Sequence, residues 1–217
     1  MSDAAFPKVS DSIQERREHI IQAATHIIAQ EGLAALSVRT VAERANCSRG
    51  LVVHYFGNKK ALLVASNDWA NETYLQRVNT AVGDRKGLAA LELRLRNLLP
   101  YTEAILDEWT VRIAFWHQGR TIPSLEQSNN LSFYAIYKEI LADMRMAQAN
   151  GEIAATIPVQ VTSEMLLFVV IGICTSCLSN ARLRQQAPLD RRMAMMMGFL
   201  ATGDVAALEV GDPAKDY

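Results

Sequence analysis

The chain has 217 residues, half of them apolar, with 22 Lys and Arg against 23 Asp and Glu and a formal net charge of −1. That apolar share supplies a core and excludes a disordered chain, while three cysteines exclude a disulfide scaffold and, being odd in number, point to reduced thiols as in the cytoplasm. The opening stretch MSDAAFPKVSDS has no basic region followed by an apolar one, so no secretion signal is expected and residues 1–12 read as a loose tail.

In chain order the periodicity predicts helices throughout. Ile20, Ala23, Ala24, Ile27 and Ile28 recur at spacings of three and four and mark one face of a helix over Ile13 to Gln30, which Gly32 stops. Ser37 offers an N-cap for Val38 to Ala45, with Val41, Ala42 and Ala45 inward. Asn46 suits a left-handed turn, Ser48 caps a third helix through Tyr55, and Gly57-Asn58 separates it from a long helix opening at Lys59.

The second half continues with Leu88 to Leu99, interrupted by Pro100, and a helix from Thr102 to Gln118. After a Gly119 to Ser124 loop, Ser132 to Asn150 is amphipathic. Pro158 and Pro188 lie near the starts of helices reaching Arg184 and Ala201. The charge-free run Met165 to Ala181 is shorter than the ~20 apolar residues a membrane-spanning helix needs, so a buried helix of a soluble protein is expected, with no membrane partner. No alternating strand pattern and no repeat occur. The fold class is therefore all-α: an N-terminal three-helix head over residues 13–67, a larger helical domain over 68–203, and a C-terminal tail over 204–217.

Charge is not spread evenly. Between Ser37 and Lys60 stand Arg39, Arg44, Arg49, Lys59 and Lys60 against Glu43 alone, a small cationic patch on an otherwise acidic chain, which hints at a polyanion partner. The same stretch meets the demands of a helix-turn-helix. Ala42 is small where two helices cross, Asn46 tolerates positive φ, and Cys47 and Val52 supply apolar contacts. That leaves Arg49, Gly50, Leu51, Val53 and His54 outward on a helix that can enter the major groove of double-stranded DNA.

The run SVRTVAERANCSRGLVVHYFGNKKALL resembles the DNA-binding signature of the tetracycline-repressor (TetR) family at Ser37, Val41, Ala42, Ala45, Ser48, Gly50, Val52, Tyr55, Phe56, Lys59 and Leu62. Asn46-Cys47 replaces the common Gly-Val of that signature, and Val53 replaces a common Tyr. The resemblance implies DNA contacts from Ser37, Arg39, Thr40, Ser48, Arg49, Gly50, Leu51, His54, Tyr55 and Lys59. Within that set Lys59 at a helix start suits a phosphate, and Tyr55, Thr40 and Ser48 offer hydroxyl donors to the backbone. Arg49 and His54 suit base edges, Leu51 a thymine methyl, and Arg39 either a base edge or phosphate.

The same resemblance implies a ligand-responsive regulator, most simply a repressor bound to a palindromic operator. It further implies a homodimer paired through helices at about 160–184 and 189–201, and a small-molecule effector. The segment TVRIAFWHQGRTIPSLEQSNNLSFYAIYKEILADMR is similar to the betaine-regulator (BetI) branch, which responds to choline-like compounds. On that resemblance Trp109, Phe115, Trp116, Phe133 and Tyr134 are candidates for an aromatic cage around a cation, although Ile171-Gly172-Ile173 offers no acidic counter-ion.

An enzyme is not expected. The sequence has no G-x-S-x-G elbow, Walker loop, dinucleotide fingerprint or H-E-x-x-H, and His19, His26, His54 and His117 are scattered. No cofactor or metal is expected. Cys174-x-x-Cys177 leaves open a thiol- or metal-responsive repressor as the alternative.

Overall fold

The computed structural model describes residues 9–204, with side chains from Ile13 onward. Among the described residues there are nine α-helices, one 3-10 turn and no strand. The helices are α1 (Val9–Glu31), α2 (Val38–Arg44), α3 (Arg49–Phe56), α4 (Lys59–Val82), α5 (Gly87–Leu98), α6 (Glu103–Gly119), α7 (Pro123–Ala149), α8 (Val159–Ser179) and α9 (Gln186–Thr202).

They divide between two compact units. One holds the chain up to Ala70 together with Ala114–Asn129; the other holds Asn71–Ile113 together with the chain from Asn130. In the first unit α1 buries Ile20, Ile21, Ala24, Ile27 and Ile28, the stripe that 3.6-residue periodicity requires. Ser37 and Thr40 form a reciprocal capping box at the start of α2, and Ser48 accepts the Leu51 N–H at the start of α3. Asn46 has φ 49°, alone among described non-glycine residues in that region, and Cys47 N–H closes the turn on the Ala42 carbonyl at 2.9 Å. Later in the same unit Gly119 lies so near α7 that a Cβ there meets the Asn129 amide at 2.8 Å.

In the second unit α5 packs against α9, and Asp190 accepts from Tyr101 Oη at 2.9 Å and from Arg96 at 3.3 Å. Arg94 is buried but paired, 2.7 Å from Asp143 and 3.2 Å from Glu139. Leu106, Cys177, Leu183 and Leu189 form a further apolar cluster. Glu152 accepts the Leu88 N–H at 2.7 Å, and its carboxylate fills the space beside Gly87 that a Cβ needs.

Several element limits differ from the sequence expectation. Helix α1 starts at Val9, so part of the expected tail is helical; residues 1–8 and 205–217 lie outside the described residues. Helix α7 starts at Pro123 rather than Ser132, because proline at a first helical position costs no hydrogen bond and Leu125 is buried. Helix α8 stops at Ser179 rather than Arg184, where Asn180 turns extended and its side chain accepts the Arg182 N–H. Nor is α8 buried all round: Val161, Met165, Phe168 and Val169 are exposed along one side. Residues 114–129, expected in the larger domain, cluster with the head.

Candidate nucleic-acid interface

Helix α3 is amphipathic in the sense a reading head needs. Val52 and Phe56 point into the unit, which leaves Arg49, Gly50, Val53 and His54 exposed at positions that share a face by their spacings of three and four. Leu51 and Tyr55 flank that face half-buried. The Tyr55 ring sits edge-on to His54 with centroids 5.5 Å apart and lies 6.3 Å from the Phe56 ring, over which Arg17 sits at 5.3 Å. Leu51 also lines an open cleft of about 460 Å³ with His19, Asn46, Cys47 and Ser48.

The electrostatics separate the cations into two groups. Arg39 is tied to Glu43 at 2.8 Å and Arg44 to Glu31, so both have local partners. Arg49, Lys59 and Lys60 form no ion pair among the described residues and are exposed. Lys59 and Lys60 open α4, where Asn58 Oδ1 accepts the Ala61 N–H and the Asn58 carbonyl the Leu62 N–H, which leaves the Lys59 and Lys60 N–H groups without a partner inside the helix. An anion is favoured there by charge and by the helix end together.

The hydroxyls are not equivalent either. Thr40, expected as a phosphate donor, directs its hydroxyl at the Ala35 carbonyl at 2.8 Å, while its Oγ1 accepts the Ser37 N–H. The reason is the capping box, which uses Thr40 to fix the start of α2. Ser37 Oγ accepts the Thr40 N–H and lies 3.1 Å from Thr40 Oγ1, to which its hydrogen turns because Thr40 donates to Ala35; Ser48 Oγ accepts the Leu51 N–H and keeps its own hydrogen. Gly50 has no positive φ, and a Cβ there meets nothing nearer than Ser48 Oγ at 3.8 Å. The chain's own packing gives no reason for a glycine at that position.

Two residues on this surface received no site role from sequence. Val53, 47% exposed, sits one turn after Arg49, and Lys60 doubles the charge at the start of α4. The available signal was an apolar residue placed among polar ones on the outward face.

The five aromatics expected around an effector do not meet as one cage within either unit. Phe115 and Trp116 belong to the unit of the head; Trp109, Phe133 and Tyr134 belong to the other. Trp109 is buried and donates its indole N–H to the Leu98 carbonyl at 2.7 Å. Phe133 packs on Phe168 with ring centroids 5.6 Å apart, and Tyr134 is exposed beneath Lys138. Arg112 lies over both the Trp109 and the Tyr74 rings, and sequence reasoning passed over it and Tyr74, although Arg112 stands three positions after Trp109 on an apolar helix face.

Cys174 and Cys177 are both fully buried, and Cys174 Sγ donates to the Leu98 carbonyl at 3.5 Å. Burial pushes both thiols above the ordinary range. No group of three or more His, Cys, Asp or Glu able to hold a metal occurs among the described residues.

Residues 20–65 match the family model described as bacterial regulatory proteins, tetR family. The chain is 29% identical over 144 residues to the HTH-type transcriptional regulator BetI of Paraburkholderia phymatum, covering 64% of this chain and 71% of that one. It is also 29% identical over 138 residues to BetI of Burkholderia thailandensis, covering 61% and 69%. A transcriptional regulator from Rhodococcus sp. Rha1 has the same fold, with a TM-score of 0.75 and 25% identity over 85% of this chain and 95% of that one. A transcriptional regulator from Saccharomonospora viridis in complex with choline matches with a TM-score of 0.76 at 18% identity, over 86% and 95%. The family match over the reading head and the regulators it resembles make the molecule a helix-turn-helix transcriptional regulator and not an enzyme. Over residues 20–65 it carries the DNA-binding region of tetR-family regulatory proteins, and its chain is similar to the BetI regulators.

Proposed function

We propose that this regulator is a homodimeric repressor that reads a palindromic operator with α3 and is released by a small-molecule effector. The observation that carries the reading is the outer face of α3. Arg49, Gly50, Val53 and His54 are exposed together, beside the unpaired Lys59 and Lys60. A glycine inside a helix costs roughly 0.5–1 kcal/mol relative to alanine, a cost that close approach of another backbone repays. An exposed valine between an arginine and a histidine suits a thymine methyl flanked by hydrogen-bonding base edges. Arg49 and His54 read bases, Lys59 and Lys60 grip phosphate, Ser48 and Tyr55 add hydroxyl donors, and Ser37 sets the start of α2 beside them. Arg39 reaches DNA with the nitrogens that Glu43 leaves free.

The dimer reading rests on α8. Val161, Met165, Phe168 and Val169 form an exposed apolar stripe, and Gly172 on the same helix has open space where a Cβ belongs. Such a stripe is large for a soluble monomer, and a second copy of the same helix buries it about a two-fold axis. Glu164, Thr175 and Ser176 lie exposed beside it, which suits a protein partner in the cytoplasm better than lipid, although α8 is long and apolar enough to span a membrane. Two α3 helices related by that axis must lie about 34–36 Å apart to meet successive major grooves.

The choline complex of a neighbour with the same fold supports a small-molecule effector for this regulator as well. The thiol alternative is less well supported, since the buried and protonated Cys174 and Cys177 are poor nucleophiles. Helix α6 contributes Trp109 to one unit and Phe115 to the other, and thus offers a covalent path from effector to head.

The test is selection of bound sequences from random DNA with the full chain, followed by sedimentation. An enriched inverted repeat and a mass of twice the chain support the reading. A single asymmetric site bound by a stable monomer overturns it.

A further inference from the structure

The unit formed by Asn71–Ile113 and the chain from Asn130 gathers two guanidinium groups about one phenol ring. Arg77 lies 5.5 Å and Arg112 4.6 Å from the Tyr74 ring centroid, and Arg112 also lies 5.4 Å from the Trp109 ring. The two arginines differ in what neutralises them. Arg77 holds Glu108 in a fork, Nε to Oε1 at 2.9 Å and Nη2 to Oε2 at 2.6 Å, and also reaches Asn97. Arg112, only 7% exposed, has no carboxylate partner among the described residues. Its Nη1 donates to Asn71 Oδ1 at 3.2 Å and to Ser132 Oγ at 3.4 Å, both long, and its Nε and Nη2 have no hydrogen-bond partner among the described residues. Glu108, the acid whose field it feels, is already engaged by Arg77.

Two arginines against one glutamate leave one positive charge uncompensated in the interior of this unit. A guanidinium does not shed its proton to escape that cost. Burial disfavours the charged form and draws the group below the ordinary arginine range. The ring faces of Tyr74 and Trp109 offset part of the penalty, but a buried ion is tolerated when it is both paired and hydrogen-bonded, and Arg112 is neither fully. Arg112 keeps 7% of its surface exposed, so the side chain is not wholly sealed in.

We infer that the effector is a small carboxylate with an apolar body, held by Nε and Nη2 of Arg112 and flanked by the Tyr74 and Trp109 rings. This rests on the regulator reading above and fixes the chemical class of its ligand. Carboxylate is favoured because the same Nε and Nη2 pair on Arg77 grips the Glu108 carboxylate one helical turn away, so the unit already contains the geometry. A choline-like cation is disfavoured. The aromatic faces it needs carry the protein's own cation, and a second positive charge meets repulsion there.

The experiment uses the full chain and isothermal titration at constant ionic strength with matched pairs: butyrate and butyramide, octanoate and octanamide, phenylacetate and phenylacetamide, together with choline and tetramethylammonium. At least one carboxylate is expected to saturate one site per chain, with its amide at least tenfold weaker and both cations without effect. Arg112→Gln should weaken that carboxylate by roughly 10- to 100-fold, the scale of a charge-assisted fork, and Arg112→Lys should retain part of the binding.

The proposal is overturned if choline or a neutral amide binds as well as the acid, if Arg112→Gln keeps full affinity, or if no carboxylate saturates by about 10 mM. The acid and amide comparison needs no variant, so it decides even if Arg112→Gln fails to fold. Titrations against the selected operator separate the two readings. Release of DNA by a cation or neutral compound leaves the regulator reading intact and sinks the carboxylate. A carboxylate that binds through Arg112 without altering DNA affinity does the reverse.

Discussion

Asn67 donates a hydrogen bond of 2.7 Å to Ser128, 61 residues further along the chain, and Ser128 donates in turn to Asp68. Asn67 also reaches Asn129 Oδ1 at 3.1 Å, and Asn129 donates to the Phe115 carbonyl at 3.2 Å. The first turns of α4, which follow directly on α3, are thereby fastened to the α6–α7 junction inside one compact unit. A polar network this buried is worth most when complete and becomes a liability when one member is removed.

Asn67→Ala is therefore expected to lower the unfolding free energy by about 1–3 kcal/mol, since it strands Ser128 and Asn129 in a site that Asn67 fills. Urea unfolding of the full chain measures it. A midpoint equal to that of the unaltered protein shows that water replaces the amide freely.

At the turn, Asn46 holds φ 49°. Asn46→Ala should cost about 1 kcal/mol or more, because a Cβ without a compensating side-chain bond is disfavoured there, while Asn46→Gly should be neutral within a few tenths. Equal unfolding midpoints for the two variants contradict this account of the turn.

On the DNA side, Lys59→Ala should weaken all sequences alike and reduce the slope of affinity against salt by about one counter-ion. Arg49→Ala should instead relax preference at one base pair per half-site, by about 1–3 kcal/mol for a bidentate contact. Titration against every single-base operator variant separates the two; an even loss with Arg49→Ala makes it a phosphate contact.

Phe168 is 54% exposed in the middle of the bare stripe of α8. Phe168→Glu should leave the helical circular-dichroism signal intact and shift the sedimenting mass towards one chain, because a carboxylate then faces its own copy across a two-fold axis. An unchanged mass moves the interface elsewhere.

The thiols should react in a set order. Burial holds the Cys174 and Cys177 thiols above the ordinary range, and Cys47, half-buried, is raised as well. A raised thiol pKa means less thiolate at a given pH, so alkylation should be slow at neutrality and quicken as pH rises. Cys47 should react first in the native protein, and the other two only once urea is added. Rapid native labelling of Cys174 contradicts its burial.

What the sequence determined by itself was everything set within a few residues. Ser37 and Ser48 cap their helices, Asn46 takes the left-handed turn, and Val52 and Phe56 face inward, because caps, turns and 3.6-residue stripes are local devices whose partners lie three to five positions away. Tertiary structure decided the rest. It engaged Thr40 in a capping box, joined residues 114–129 to the head, left one side of α8 bare, and set Arg112 against Tyr74 and Asn71 without a counter-charge. Asn71 and Arg112 are 41 residues apart, and Asn67 and Ser128 are 61 apart. Whether a buried charge is paired depends on which side chains arrive from other helices, and periodicity along one helix carries no information about them.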